Sequence, residues 1–361
     1  MVAMIRDMTP NAPGTPTPAI QHARAAPVPR SHLTTLRGLP EVLEQFDVPS
    51  EPILRAAGLT RADLEDPARI ASFTELDQLL GTCVRRTRCS HFGLLMSRHV
   101  NLQTFGIAGR LALNAPSVGA ALQDLAAYFV LHDSGGVPNV AIHDGSATFA
   151  YGIHAPGVRN SEQVYDLSVG AMVNIMRQLC GPRWRPDVLL LPRKRPPDLR
   201  PYREILAAPL RFDSVQAAVL FPAVWLSRPV ANADPLLRTV LADRATADLA
   251  AQEPLLHGEV RRTIRLLLTA GVCSRVEVAR RLGMHERTLG RRLQESGTTF
   301  QALFDEARLV LAQQLLRDTH LPIARVSAAL GYSDPTVFTR AFRRWIGQTP
   351  RGFRAAIATP A

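Results

Sequence analysis

The spacing of apolar residues changes along this chain, and the change divides it. From residue 33 to about 71 the period is helical: Val42, Leu43 and Phe46 share a face, and Leu54-Arg-Ala-Ala-Gly58-Leu59 ends in a glycine where a left-handed helix cap sits. A further helix is expected over residues 75–87. Between 139 and 153 the period drops to two. Val140 and Ile142, then Phe149, Tyr151 and Ile153, alternate about Asp144-Gly145, a pair that tolerates the positive φ angles of a two-residue hairpin turn. Strands are also expected at 188–191 and 218–221, and a helix around 236–249.

After residue 256 strand signals stop. Val260, Ile264, Leu267 and Leu268 form one helical stripe, with Arg261, Arg262 and Arg265 off it. Ser274 and Glu277 have the spacing of a capping box, and the helix they open is cut short at Leu282-Gly283 before a second periodic segment begins near His285. Two short helices around a glycine turn make a helix-turn-helix. The same order returns 48 residues later: Val278 pairs with Val326, Gly283 with Gly331, Thr288 with Thr336, Leu289 with Val337 and Arg292 with Arg340. Pro322 and Ser333-Asp334-Pro335 supply helix starts for the second unit. Between the units Phe300, Leu303, Phe304, Ala307, Leu311, Leu315 and Leu316 keep one helical period, which predicts a long helix holding the units at a fixed separation.

Composition sharpens this division. A chain of 361 residues with 46% hydrophobic and 20% charged positions has apolar material for two or three globular domains. The most apolar segment, 105–131, is interrupted by Arg110 and Asp124, so no membrane span is expected. The net charge of +11 is unevenly placed: residues 258–361 hold 17 arginines against 8 acids, the electrostatic footprint of a nucleic-acid module. The four cysteines, Cys83, Cys89, Cys180 and Cys273, have neither C-x-x-C spacing nor secreted-scaffold density, which fits a reducing cytoplasm. Six prolines in the first 32 residues, and no continuous apolar run, predict a disordered tail rather than a signal peptide.

The segment Ile323-Ala-Arg-Val-Ser-Ala-Ala-Leu-Gly331-Tyr-Ser-Asp-Pro-Thr-Val-Phe338-Thr-Arg340-Ala-Phe342, continuing through Trp345, Gly347 and Pro350 to Arg354, resembles the signature of AraC/XylS-type transcription regulators. Met284-His-Glu-Arg-Thr-Leu-Gly-Arg-Arg-Leu293, with Gly297, Phe300 and Arg308, is similar to that family's first helix-turn-helix and linking helix. More loosely, Phe105-Gly-Ile-Ala-Gly-Arg-Leu-Ala-Leu-Asn-Ala-Pro116 and the stretch from Leu220-Phe-Pro222 to Asp234-Pro-Leu236 resemble the arabinose-binding-type regulatory domain of one subgroup. The fold class expected is therefore an α+β N-terminal regulatory domain followed by an all-α DNA-binding domain with two helix-turn-helix units joined by a long helix. Its expected divisions are a disordered tail at 1–32, a ligand-binding or dimerising domain at 33–235, a linker helix and joint at 236–257, and the double helix-turn-helix at 258–361. The resemblance implies operator DNA, RNA polymerase and a small-molecule effector as partners, with a homodimer among the assemblies and either activation or repression as output.

A recognition helix enters the major groove with its N-terminal half, so one face of that half meets base edges. This places Arg287, Gly290 and Arg291 on the reading face of the first unit and Pro335, Thr336 and Arg340 on that of the second, positions that match the family's base-facing ones. Arginine bonds guanine O6 and N7 in pairs and threonine touches a thymine methyl. Gly290 and Pro335 offer no side-chain donor, and an exposed arginine on such a helix serves a phosphate as readily as a base. Catalysis finds little support. His132, His143 and His154 recur every eleven residues without a carboxylate at ligand spacing, and Cys180 lacks the flanking histidine of an alkyl-transfer thiol. Neither an enzyme nor a bound metal or cofactor is expected.

Overall fold

The computed structural model describes residues 28–251 and 256–358. Most of the expected tail lies outside this range, but its last three residues do not behave as a tail. Arg30–His32 is strand β1, paired antiparallel with β2, Ile70–Ser72. The backbone there has partners to satisfy it: Arg30 N donates to the Ser134 hydroxyl at 2.8 Å, and the Pro29 carbonyl accepts from Phe73 N at 2.8 Å.

The N-terminal half is built on a five-stranded sheet. β3, Gly136–His143, and β4, Ser146–Ile153, form the hairpin expected from the alternation, turning at Asp144 (φ 47°) and Gly145 (φ 75°). β5, Val188–Leu190, runs parallel to β6, Leu210–Arg211, and antiparallel to β7, Ala217–Pro222, which gives the strand order β3-β4-β7-β5-β6. Across the sheet lies the helix Ser161–Cys180, which buries Tyr165, Val169, Met172, Val173 and Met176. Its buried Asp166 is held by the Arg193 guanidinium and the Tyr202 hydroxyl, a charge taken out of water with its partners in place. A second cluster, made by Leu33, Leu39, Leu43, Leu54 and Leu79, fills the space among the first helices. One of these helices, Phe73–Thr87, starts in a capping box between Ser72 and Glu75. The helix Pro235–Ala251 leaves this half and is tied back by the ion pair of Arg238 with Asp124 at 2.8 Å.

The C-terminal half is helical throughout. After Leu256–Thr269 come the pair Arg275–Arg281 and Glu286–Glu295, the long helix Phe300–Asp318, the pair Ile323–Ala329 and Pro335–Ile346, and Pro350–Ala358. Gly283 and Gly331 turn between the paired helices at φ 65° and 76°, where a Cβ would be strained. Val278, Leu289, Leu293, Val326, Phe338 and Phe342 close on the long helix as one core, while Leu282 and Trp345 are half-buried at its margin. Ser274 accepts from Glu277 N, as the capping spacing predicts. The Glu277 carboxylate, however, turns to Arg280 at 2.6 Å and Arg281 at 3.5 Å instead of closing the box, since a charged partner holds it more strongly than a backbone amide.

Arg265 lies off the apolar stripe of its helix and yet is only 1% exposed, because that side of the helix packs on the N-terminal half. Its Nη2 donates to the Tyr165 hydroxyl at 3.1 Å and the Gln314 side-chain oxygen at 3.3 Å, and its stem crosses Gly152 on β4. At the far end of the long helix Asp318 accepts from the Ser161 hydroxyl, and Arg317 donates to the Val158 carbonyl at 2.6 Å.

Candidate nucleic-acid interface and an interior cavity

Both halves present a surface or space suited to chemistry with a partner. In the C-terminal half the second helix of each pair carries its apolar side inward on Leu289 and Leu293, or on Phe338 and Phe342, and so turns the opposite side to solvent. Arg287, Arg291, Pro335, Thr336 and Arg340 are all exposed there, and Gly290 is half-buried. The helix starts are fixed locally. His285 Nδ1 accepts from Arg287 N at 3.2 Å, and Asp334 accepts from Thr336 N at 2.7 Å with Pro335 in the first turn. Arg291 faces Glu295 at 3.6 Å, one turn on, whereas among the described residues Arg287 and Arg340 form no ion pair. Docking of the two halves uses Leu256–Thr269 and Phe300–Asp318, so among the described residues both outward faces stay open.

Gly290 has a local cause that the sequence does not reveal. Arg275, from the first helix of the pair, lays its guanidinium across that point and donates to the Glu286 carbonyl at 2.9 Å. A Cβ at 290 would sit 2.6 Å from Arg275 Nη2. Arg275 thus stands where a side chain of residue 290 would stand. In the second unit Arg308 acts as a fastener. Stacked 3.9 Å from the Phe304 ring and 4.2 Å from the Tyr332 ring, it donates to the Leu330 carbonyl at 2.9 Å and ties the glycine turn to the long helix.

The N-terminal half holds a partly open cavity of about 80 Å³ between Ser161–Cys180, the inner face of the β3–β4 hairpin and Phe73–Thr87. Phe73, Phe105, Phe129, Phe149, Met172 and Ile175 supply most of its wall. Among its polar groups, Asp133 accepts from Gly135 N at 2.7 Å, Gly136 N at 3.1 Å and the Tyr151 hydroxyl at 3.3 Å. Burial still raises its carboxyl to about 6. Burial also holds the His132 imidazole down at about 3, so the ring is neutral. One sheet separates cavity from DNA-facing half: Tyr151 points inward from β4, and Gly152, next along the strand, meets Arg265 on the other face.

The three histidines do not converge. His132 lines the cavity, His143 sits exposed beside Asp144 at 3.0 Å, and His154 lies near Arg261, Arg262 and Arg265. Among the described residues no three histidine, cysteine or acidic side chains gather as a metal site. Burial raises the Cys180 thiol to about 11, which leaves it unreactive. No helix among the described residues is long and apolar enough to cross a membrane.

An exposed pair of helix-turn-helix faces on a basic domain, joined to a separate α/β half with its own cavity, defines a DNA-binding transcription regulator. Residues 48–230 match the arabinose-binding domain of AraC transcription regulators, N-terminal, and residues 278–356 match a helix-turn-helix domain. The chain belongs to the AraC transcription regulators with that N-terminal domain. It is similar to the HTH-type transcriptional regulator VirS of Mycobacterium tuberculosis, 26% identical over 89% of this chain and 95% of the relative. The ornithine utilization regulator of Pseudomonas aeruginosa is 26% identical over 88% and 94%. A crystal structure of the transcriptional regulator CdpR from Pseudomonas aeruginosa is similar at 25% identity and a TM-score of 0.42, over 84% of this chain and 96% of that one.

Proposed function

We propose that this regulator reads a specific operator through Arg287, Gly290, Arg291, Pro335, Thr336 and Arg340, inside a DNA-binding domain that begins near residue 258. The observation that carries the reading is the exposure of both recognition faces while the two halves are docked. Arg340, without an ion pair among the described residues, is the reader of the second unit; Arg291, beside Glu295, gives up a weak exposed pair on meeting DNA. Gly290 contributes backbone surface to the reading face and seats the Arg275 guanidinium beside it.

The N-terminal domain binds a small-molecule effector in its cavity, and occupancy alters the docking of the DNA-binding half through the β3–β4 hairpin. The exposed apolar Leu236, Leu237 and Val240 on Pro235–Ala251 favour a homodimer, and the DNA-bound protein meets RNA polymerase in the bacterial cytoplasm. Sequencing the DNA retained by the purified full-length protein, followed by footprinting, tests the central reading. One enriched motif, lost with Arg340→Ala, is expected; retention of DNA without any enriched motif would overturn sequence-specific reading.

A further inference from the structure

A cavity selects its ligand by the polar groups it leaves unpaired. In this cavity nearly every polar side chain is already committed to the protein. The Ser31 and Thr35 hydroxyls donate to the His32 carbonyl, and that of Ser168 donates to the Val164 carbonyl. The Asp77 carboxylate accepts from the backbone N–H groups of Arg159 and Asn160 and from the Asn160 amide. Asp133 accepts from the Gly135 and Gly136 N–H groups and from the Tyr151 hydroxyl. His132 differs: it is 5% exposed, lines the cavity, and among the described residues its Nε2 has no hydrogen-bond partner.

Charge narrows the choice further. Among the described residues no arginine or lysine lines the cavity, so a carboxylate or phosphate would lose its hydration on entering with no counter-ion in the wall to offset the loss. The neutral His132 ring does not supply that charge either. An ammonium would meet two carboxylates whose oxygens are already taken up by backbone and side-chain donors. A sugar, with a hydroxyl on nearly every carbon, would leave most of them unpaired against phenylalanine and methionine. At about 80 Å³ the space is below the roughly 150 Å³ that takes up benzene in an engineered protein, which favours a slim chain over a ring.

We propose that the effector is an uncharged, short-chain aliphatic molecule with a single hydrogen-bonding group, an alcohol or ketone, whose polar end pairs with His132 Nε2. This rests on the reading of the cavity as the effector site. It separates this chain from the ligand class in its family's name, because the walls lack the polar groups a pentose requires.

The test is a thermal-shift titration of the full-length protein with five probes: propan-1-ol, acetone, propanoate, propylamine and arabinose. A ligand bound only by the folded protein must raise its melting temperature. Propan-1-ol and acetone are expected to do so, and the two charged compounds and the sugar are not. His132→Phe, which keeps a ring and removes its nitrogens, should weaken propan-1-ol binding about tenfold, the effect of one lost hydrogen bond. Ala171→Leu, which fills the cavity, should abolish it. A shift by propanoate, propylamine or arabinose that disappears in Ala171→Leu overturns the ligand class and leaves the effector site standing. Propan-1-ol binding unaffected by both variants overturns the placement. No shift from any of the five, in protein that still binds its operator, overturns the effector reading together with the ligand class.

Discussion

The Arg265 guanidinium and the Tyr165 hydroxyl, 100 residues apart in sequence and 3.1 Å apart in space, join the DNA-binding half to the centre of the regulatory half. The arginine is almost fully buried, and among the described residues its Nε and Nη1 atoms have no hydrogen-bond partner. Such a group keeps its place only while the surfaces around it stay closed, so it marks the contact most sensitive to a shift between the halves.

Removing it should loosen docking more than folding within either half. Arg265→Ala is expected to cost about 2–4 kcal/mol, from lost packing and from the abandoned Tyr165 and Gln314 groups, and Tyr165→Phe about 1 kcal/mol. Urea denaturation followed by circular dichroism checks both. An Arg265→Ala loss under about 0.5 kcal/mol would show that the contact does not hold the halves together.

Asp318 gives the docking a pH dependence. Burial raises its carboxyl to about 7, although the Ser161 hydroxyl and Arg317 pull the other way and Glu162 adds to the rise. The folded state therefore holds the proton more tightly than the unfolded chain, whose aspartate titrates near 3.8. Stability from this site is full below that value and falls as pH rises through about 7. Asp318→Asn should flatten that part of the profile of melting temperature against pH, and an unchanged slope would assign it to other groups, Asp133 first.

Binding to DNA should be steeply salt-dependent, because the charge of residues 258–361 is so one-sided. If about five phosphates are neutralised, the slope of log affinity against log salt is about −4 to −5. Anisotropy titrations of the full chain at several salt concentrations measure it, and a flat response would contradict a phosphate-tracking interface.

Arg340→Ala should cost about 1–3 kcal/mol at the operator and much less on random duplex. Equal losses on the two DNAs would make Arg340 a positioning contact. Arg275→Ala, by contrast, frees the surface above Gly290 and is expected to shift base preference in the first half-site only, a change that selection from a randomised operator library would report.

The long helix Phe300–Asp318 extends about 28 Å at 1.5 Å per residue and carries both units on its core. Two protected patches about 34 Å apart on one face of the DNA are expected in hydroxyl-radical footprints. Ala307→Pro, in the middle of that helix, should abolish joint protection by kinking it.

The hairpin at Asp144-Gly145, both glycine turns and the long helix are legible in the sequence because each is a short-range pattern: a period, a cap, or a turn residue with one preferred conformation. The contacts of Arg265, Gln314 and Asp318 are not, since a helical period shows which side of a helix is apolar within its own domain and says nothing about a second domain resting on its polar side. Strand β1 is hidden for a related reason. The prolines up to Pro29 resemble a tail, and the partner of Arg30–His32 lies 40 residues on. At the DNA interface the faces can be read from spacing, but the seat of Arg275 on Gly290 depends on two helices meeting at a particular angle.

That seat couples two positions of the first reading face. The Arg275 guanidinium is the far end of a long exposed side chain, so a side chain at 290 displaces it, and a loss of Arg275 leaves a bare glycine facing the groove. A change at either position therefore alters the same patch of surface, and a library that varies 275 and 290 together would reach sequences neither position offers alone.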